Sequence, residues 1–199
     1  MDVRSIRRGV AACMLTTGVL FFAPTHAATL ASWDFDAADG SFSSEVDTLA
    51  PGASVGAWSD LDGTLTSFNG TSGRAIGARS FDNGNSLRIT VNAGGAFGLE
   101  ELRFEQQASA SGPKTWTVRL NGSVVASGAT ASTLSTVVVP LALTASLFEL
   151  SFDGIGASSG QGTWRLDNVS LAGTSPVPLP AALPLFAAAL LGLRARRRG

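Results

Sequence analysis

The stretch TWTVRLNGSVV, Thr115 to Val125, decides the fold. Trp116, Val118 and Leu120 alternate with Thr115, Thr117 and Arg119, which is the period of a strand with one buried face. Asn121-Gly122 follows at once, and Val124 and Val125 resume the apolar run. A type I′ turn needs positive φ at both central residues, and Asn-Gly between apolar runs is the strongest short signal for it. The stretch therefore reads as a tight antiparallel hairpin.

Working outward, the same period recurs. In Leu30 to Asp36, Trp33 and Phe35 face one way and Asp34 and Asp36 the other. Ser86 to Asn92 turns Leu87, Ile89 and Val91 inward; Leu102 and Phe104 do so in the next strand, leaving Arg103 and Glu105 in solvent. Leu134 to Leu141 is an almost continuous apolar strand ended by Pro140, and Leu147 to Asp153 sets Phe148, Leu150 and Phe152 on one face. Residues 40–72 are rich in glycine and serine and read as long loops with one short strand near Leu65 to Phe68. In the last strand, TWRLDNVSL, Trp164 and Leu166 share one parity while Val169 and Leu171 share the other. A β-bulge at Asp167-Asn168 is the simplest way to switch faces. About eight short strands divided by Gly, Asn, Asp and Ser, without helical periodicity, predict an all-β antiparallel sandwich of jelly-roll type.

The two ends have a different character. Arg4, Arg7 and Arg8 precede an apolar stretch, Gly9 to Pro24, and Thr25-His26-Ala27 supplies small residues for a peptidase. That is the pattern of a secretory signal peptide over residues 1–27, cleaved after Ala27. The single cysteine, Cys13, comes too early for a lipoprotein box. At the other end Val177 to Leu193 is 17 residues without a charge, and Arg194, Arg196, Arg197 and Arg198 follow. An uncharged apolar run beside clustered arginines is how a membrane segment with a cytoplasmic flank looks. A spanning helix needs about 20 residues, and Pro178, Pro180 and Pro184 disfavour helix in the first half of this one. The segment suits a transient transmembrane stop better than a permanent anchor.

Val177-Pro178-Leu179-Pro180-Ala181, then the apolar run and terminal arginines, resembles the VPLPA variant of the PEP-CTERM sorting signal. The resemblance implies recognition of the tail, residues 174–199, by exosortase, a membrane cysteine protease of Gram-negative bacteria. It further implies export, transient inner-membrane anchoring, removal of the tail, and release to a cell surface or matrix rich in exopolysaccharide. Signal peptidase and exosortase are the processing partners. The body, residues 28–173, is also similar to a family. Ser111-Gly112-Pro113 before Thr115-Trp116, with Gly162-Thr163-Trp164-Arg165-Leu166-Asp167-Asn168-Val169 near the end, resembles small jelly-roll domains of secreted PEP-CTERM proteins, also found beside some extracellular bacterial nucleases. Such domains are similar to galactose-binding-like, carbohydrate-binding modules.

The body narrows the chemistry. Its 146 residues suffice for one domain with a core. With the leader and tail set aside, 7 basic and 14 acidic residues remain, a net charge of about −7, which disfavours nucleic acid. Cys13 and His26 both fall in the leader, so the body lacks the nucleophile–base pairs of serine and cysteine hydrolases and the best zinc ligands. Glu100, Glu101, Glu105 and Glu149 are the candidates for a glycosidase pair, with solvated strand faces as the plainer reading. Asp60-Leu61-Asp62-Gly63 starts like a calcium loop but lacks the glutamate of an EF-hand, since Thr71 stands at the twelfth position. Structural calcium is expected instead between the first and last strands, on Asp34, Asp36 and Asp167. Of the four tryptophans, Trp33, Trp116 and Trp164 read as core and Trp58 as an exposed platform for a sugar ring. The expectation is a secreted, non-enzymatic β-sandwich. A carbohydrate-binding module on matrix polysaccharide is the alternative, and a glycoside hydrolase or lyase the second.

Overall fold

A computed structural model describes residues 27–36 and 41–175. Leader residues 1–26, the sorting motif Val177 to Ala181 and Arg194, Arg196, Arg197 and Arg198 lie outside the described residues, as does the transmembrane run. Among the described residues no helix is long and apolar enough to cross a membrane.

The described chain is an antiparallel β-sandwich. Its strands are β1 (Ala28–Trp33), β2 (Thr48–Leu49), β3 (Ser54–Val55), β4 (Ser59–Asp60), β5 (Thr66–Asn69), β6 (Arg74–Ala78), β7 (Ser86–Ala108), β8 (Thr115–Leu120), β9 (Ser123–Ala129), β10 (Ser135–Ile155) and β11 (Trp164–Thr174). The hydrogen-bonded order is β2-β1-β11-β7-β10-β8-β9, with β3 and β4 along β7 and β5-β6 along β11. Two strands are long enough to serve both layers. Residues 97–106 of β7 pair with residues 135–145 of β10 in one layer, and Ser86–Asn92 pair with Leu147–Asp153 in the other. The register breaks between Ala145 and Leu147, opposite Asn92 and Phe97, and there the ribbon passes from layer to layer.

Inside, the layers meet through rings. Phe104 lies edge-on to Phe152 at 5.1 Å and to Trp116 at 5.5 Å, and Trp164 packs on Phe81 at 5.7 Å. Trp33, Trp116 and Trp164 are 1%, 5% and 0% exposed, as their strand parity predicts. The hairpin forms at Asn121 (φ 50°) and Gly122 (φ 78°). The final strand shifts register between Asp167 and Ser170, with Asn168 at φ 47°, so the expected bulge is present.

Three expectations need correction. The stretches around 86–92 and 102–104 are one strand, and those around 134–141 and 147–153 are another. With β2, β3 and β4 in the region read as loop, the described residues form eleven strands rather than about eight. Pro140 does not end β10, because the first half of β10 pairs only with β7 and its outer edge needs no N–H there. Finally, β1 stops at Trp33, since Phe35 turns to φ 61° and leaves the ladder.

Candidate functional site

The outer face of the β7-β10-β8 layer is built by register. Ser59 pairs with Arg88, Arg88 with Ser151, and Ser151 with Arg119. Directly paired residues point to the same face of a sheet. Ser59, Arg88, Ser151 and Arg119 therefore form one row across four strands, while Leu87, Ile89, Leu150, Val118 and Leu120 fill the opposite face. Thr90 and Glu149 pair in the adjacent row. With Ala57 and the hairpin Gly122, these side chains line an open groove of about 440 Å³.

The charges in this groove differ in their commitments. Arg119 donates from Nε to Asp153 at 2.9 Å and from a terminal nitrogen to the Gly122 carbonyl at 3.3 Å. Arg88 donates from Nε to the Ser86 hydroxyl at 2.9 Å, and its two terminal nitrogens have no partner among the described residues. The Glu149 carboxylate is exposed and similarly without a partner among the described residues; its backbone donates to the Asn121 side-chain oxygen at 2.7 Å and accepts from the Asn121 N–H at 2.8 Å. Glu149 and Asp153 are the acids along this face of β10. Four residues of strand separate them by about 13 Å, beyond the roughly 5–9.5 Å of a glycosidase pair.

A second polar assembly surrounds the β5–β6 turn, where Gly70 N–H donates to the Gly73 carbonyl at 2.9 Å. Asp167 accepts from the N–H groups of Thr71 (2.7 Å) and Asn168 (2.8 Å). Asp36 accepts from the N–H of Arg74 at 2.5 Å, and Glu105 from the Thr71 hydroxyl and, at 3.2 Å, the Asn168 amide. Glycine is required where the turn meets these acids: a Cβ on Gly73 would lie 2.0 Å from an Asp36 oxygen, and one on Gly70 2.5 Å from Asp167. Burial pushes the Asp167 carboxyl above its ordinary value despite its two N–H donors, and the charges of Glu105 and Asp36 push the same way. The Thr71 hydroxyl, aided by Asn168, holds Glu105 below its ordinary value against the effect of burial.

Asp34 belongs elsewhere. Carboxylate oxygens of Asp34, Glu45 and Asp47 all lie within 4.8 Å of one another. Asp47 accepts from the Asp34 N–H, and Asp34 in turn from the Asp36 N–H at 3.0 Å. Burial and the neighbouring Asp34 charge raise the Asp47 carboxyl. The trio expected from sequence is thus divided: Asp36 and Asp167 clasp a turn, while Asp34 joins two acids that sequence reasoning missed. Glu45 and Asp47 sit in the glycine- and serine-rich region, where no alternation marks which residues converge. An all-oxygen set of this kind suits a hard cation such as calcium.

Two further candidates are resolved. Trp58 is not an exposed platform: it is 2% exposed and lies edge-on to Trp33 at 5.5 Å and Phe35 at 5.6 Å. The two-residue β4 that follows it pairs with β7 and turns the indole inward, and a strand so short leaves no pattern in the sequence. Asp60 forms an acidic turn. It accepts from the Thr64 N–H and hydroxyl, both at 2.8 Å, and from Asn85 at 3.0 Å. Burial would raise its carboxyl, but these donors bring it below the ordinary value.

No protein-family model and no curated protein matches the chain. Among solved structures it resembles the CBM22-1 xylan-binding domain from Paenibacillus barcinonensis Xyn10C. The TM-score is 0.50 at 11% identity, over 78% of this chain and 100% of that one. The CBM36-1 domain of a multidomain xylanase from the hindgut metagenome of Trinervitermes trinervoides matches at TM-score 0.45 and 9% identity, over 62% and 98%. The chain shares its fold with a carbohydrate-binding module.

Proposed function

We propose that this chain is an exported, non-catalytic carbohydrate-binding module that holds a glycan in the groove across β4, β7, β10 and β8. The observation that carries the reading is the row Ser59–Arg88–Ser151–Arg119. It is an open line of hydroxyl and guanidinium donors on a rigid sheet, beside an uncommitted carboxylate. Sugars are dense in hydroxyl groups, and a few convergent polar groups on a fixed scaffold orient such ligands. The fold likeness to a xylan-binding domain supports the same reading. The wide spacing of Glu149 and Asp153 favours binding over hydrolysis.

In this reading the leader directs export, and the VPLPA-type tail is handled by exosortase before the module reaches the cell surface or extracellular matrix. Asp34, Glu45 and Asp47 would hold a structural calcium ion beside the end of β1, where it would offset their mutual repulsion. The test is a polysaccharide array on the purified chain and on Ser151→Trp, which fills the middle of the groove. At least one matrix polysaccharide is expected to bind the wild type and to be lost from the variant. Binding that ignores Ser151→Trp would move the site off this face.

A further inference from the structure

Resting on that groove, we infer that its glycan is acidic: Arg88, with Ser151 and Arg119 in the same row, receives the carboxylate of a uronic-acid polymer. Neutral polysaccharides are commonly gripped by stacking their rings on exposed aromatic side chains. This face supplies none. All four tryptophans are buried, and no aromatic residue lines the groove.

What the face supplies is a planar fork. Arg88 spends only its Nε, on Ser86, so both terminal nitrogens are open to an incoming acceptor. Guanidinium and carboxylate match as a two-bond pair, shorter and roughly twice as strong as a neutral hydrogen bond. The register places Arg119 on the same face two strands away, about 10 Å between backbones. Its guanidinium is already neutralised by Asp153, so Arg88 carries the charge recognition and Arg119 the positioning. Glu149, in the next row, sets direction: it repels a second carboxylate and accepts from sugar hydroxyls. The body as a whole is acidic, which disfavours a polyanion elsewhere, and in the groove Arg88 is a cation with no carboxylate partner among the described residues.

The experiment is affinity electrophoresis of the purified chain through gels containing polygalacturonate, dextran sulfate, xylan or mannan. Retardation is expected with polygalacturonate ahead of the other three, abolished by about 0.5 M NaCl because exposed charges are then screened. Arg88→Gln should weaken it roughly tenfold, with Arg88→Lys in between, since lysine keeps the charge and loses the fork. The side chain is exposed, so both variants should keep the wild-type melting temperature. Tighter binding to xylan or mannan, lost in Ser151→Trp, would leave the groove in place and overturn its acid preference. Polygalacturonate binding that ignores Arg88→Gln, or a preference for dextran sulfate, would overturn the inference as well. Failure to hold any glycan would remove the groove reading itself.

Discussion

The two faces of the β7-β10-β8 layer are made by the same residues counted odd and even. On the inner face Leu87, Ile89, Phe148, Leu150, Phe152, Trp116 and Val118 are almost wholly buried. On the outer face Arg88, Thr90, Glu149, Ser151 and Arg119 line the groove. Neither face is specified by a motif, because both follow from a period of two and a fixed register. The difference teaches where the aromatic rings were placed: inside, as mortar between layers, leaving recognition to charged and hydroxyl groups.

The comparison is broken most severely from inside. Trp164→Ala or Trp116→Ala should cost about 3–5 kcal/mol, the range for a large aromatic in a core. Denaturant melts measure it, and a loss under about 1 kcal/mol would return the indole to the surface. A test at the rim asks whether like charges there are matched by a cation. With calcium a hundredfold over Kd, the melt should rise by the equivalent of about 2.7 kcal/mol relative to chelator. Asp47→Asn should abolish the rise, while Asp167→Ala should preserve it. A midpoint indifferent to calcium would leave Asp34, Glu45 and Asp47 as plain surface acids.

Asp167 sharpens the contrast, being a carboxylate at 2% exposure, buried beneath the β5–β6 turn. Asp167→Ala strips the acceptor from two backbone N–H groups and should cost about 1–3 kcal/mol. Its folded pKa is raised, so the folded chain binds that proton more tightly than the unfolded one. The contribution is therefore full below the ordinary value of about 3.9 and declines as pH rises through the folded value. The gap between wild type and Asp167→Ala should narrow from pH 4 to pH 7, and a gap that widens would mean donors outweigh burial. The smallest effect belongs to the outer face. Thr90→Ala with Arg88→Gln should change stability by no more than about 0.5 kcal/mol, and a larger loss would make the groove structural.

Much of this was legible in the chain. Asn121-Gly122 announced the hairpin, and the parity switch at Asp167-Asn168 announced the bulge, because each is a local rule written in adjacent residues. Strand continuity was not legible. The stretches on either side of residues 93–101 read as two strands and Pro140 as a strand end, yet the first is one strand that crosses between layers and the second an edge position. The groove was less legible still. Ser59, Arg88, Ser151 and Arg119 are unremarkable singly, and only pairing between distant segments aligns them. Trp58 misled for the same reason, since its inward turn depends on β4 finding β7.

The shared strands have a kinetic consequence. β7 and β10 form one continuous ribbon, and β3, β4, β8 and β11 each hydrogen-bond to one of its two members. The ribbon must close over the whole β8–β9 hairpin before either layer exists, and such non-local pairing is slow to form. Once it closes, both layers acquire their template together. Neither can then melt while its twin survives, so optical and calorimetric probes of either layer should report a single coincident transition.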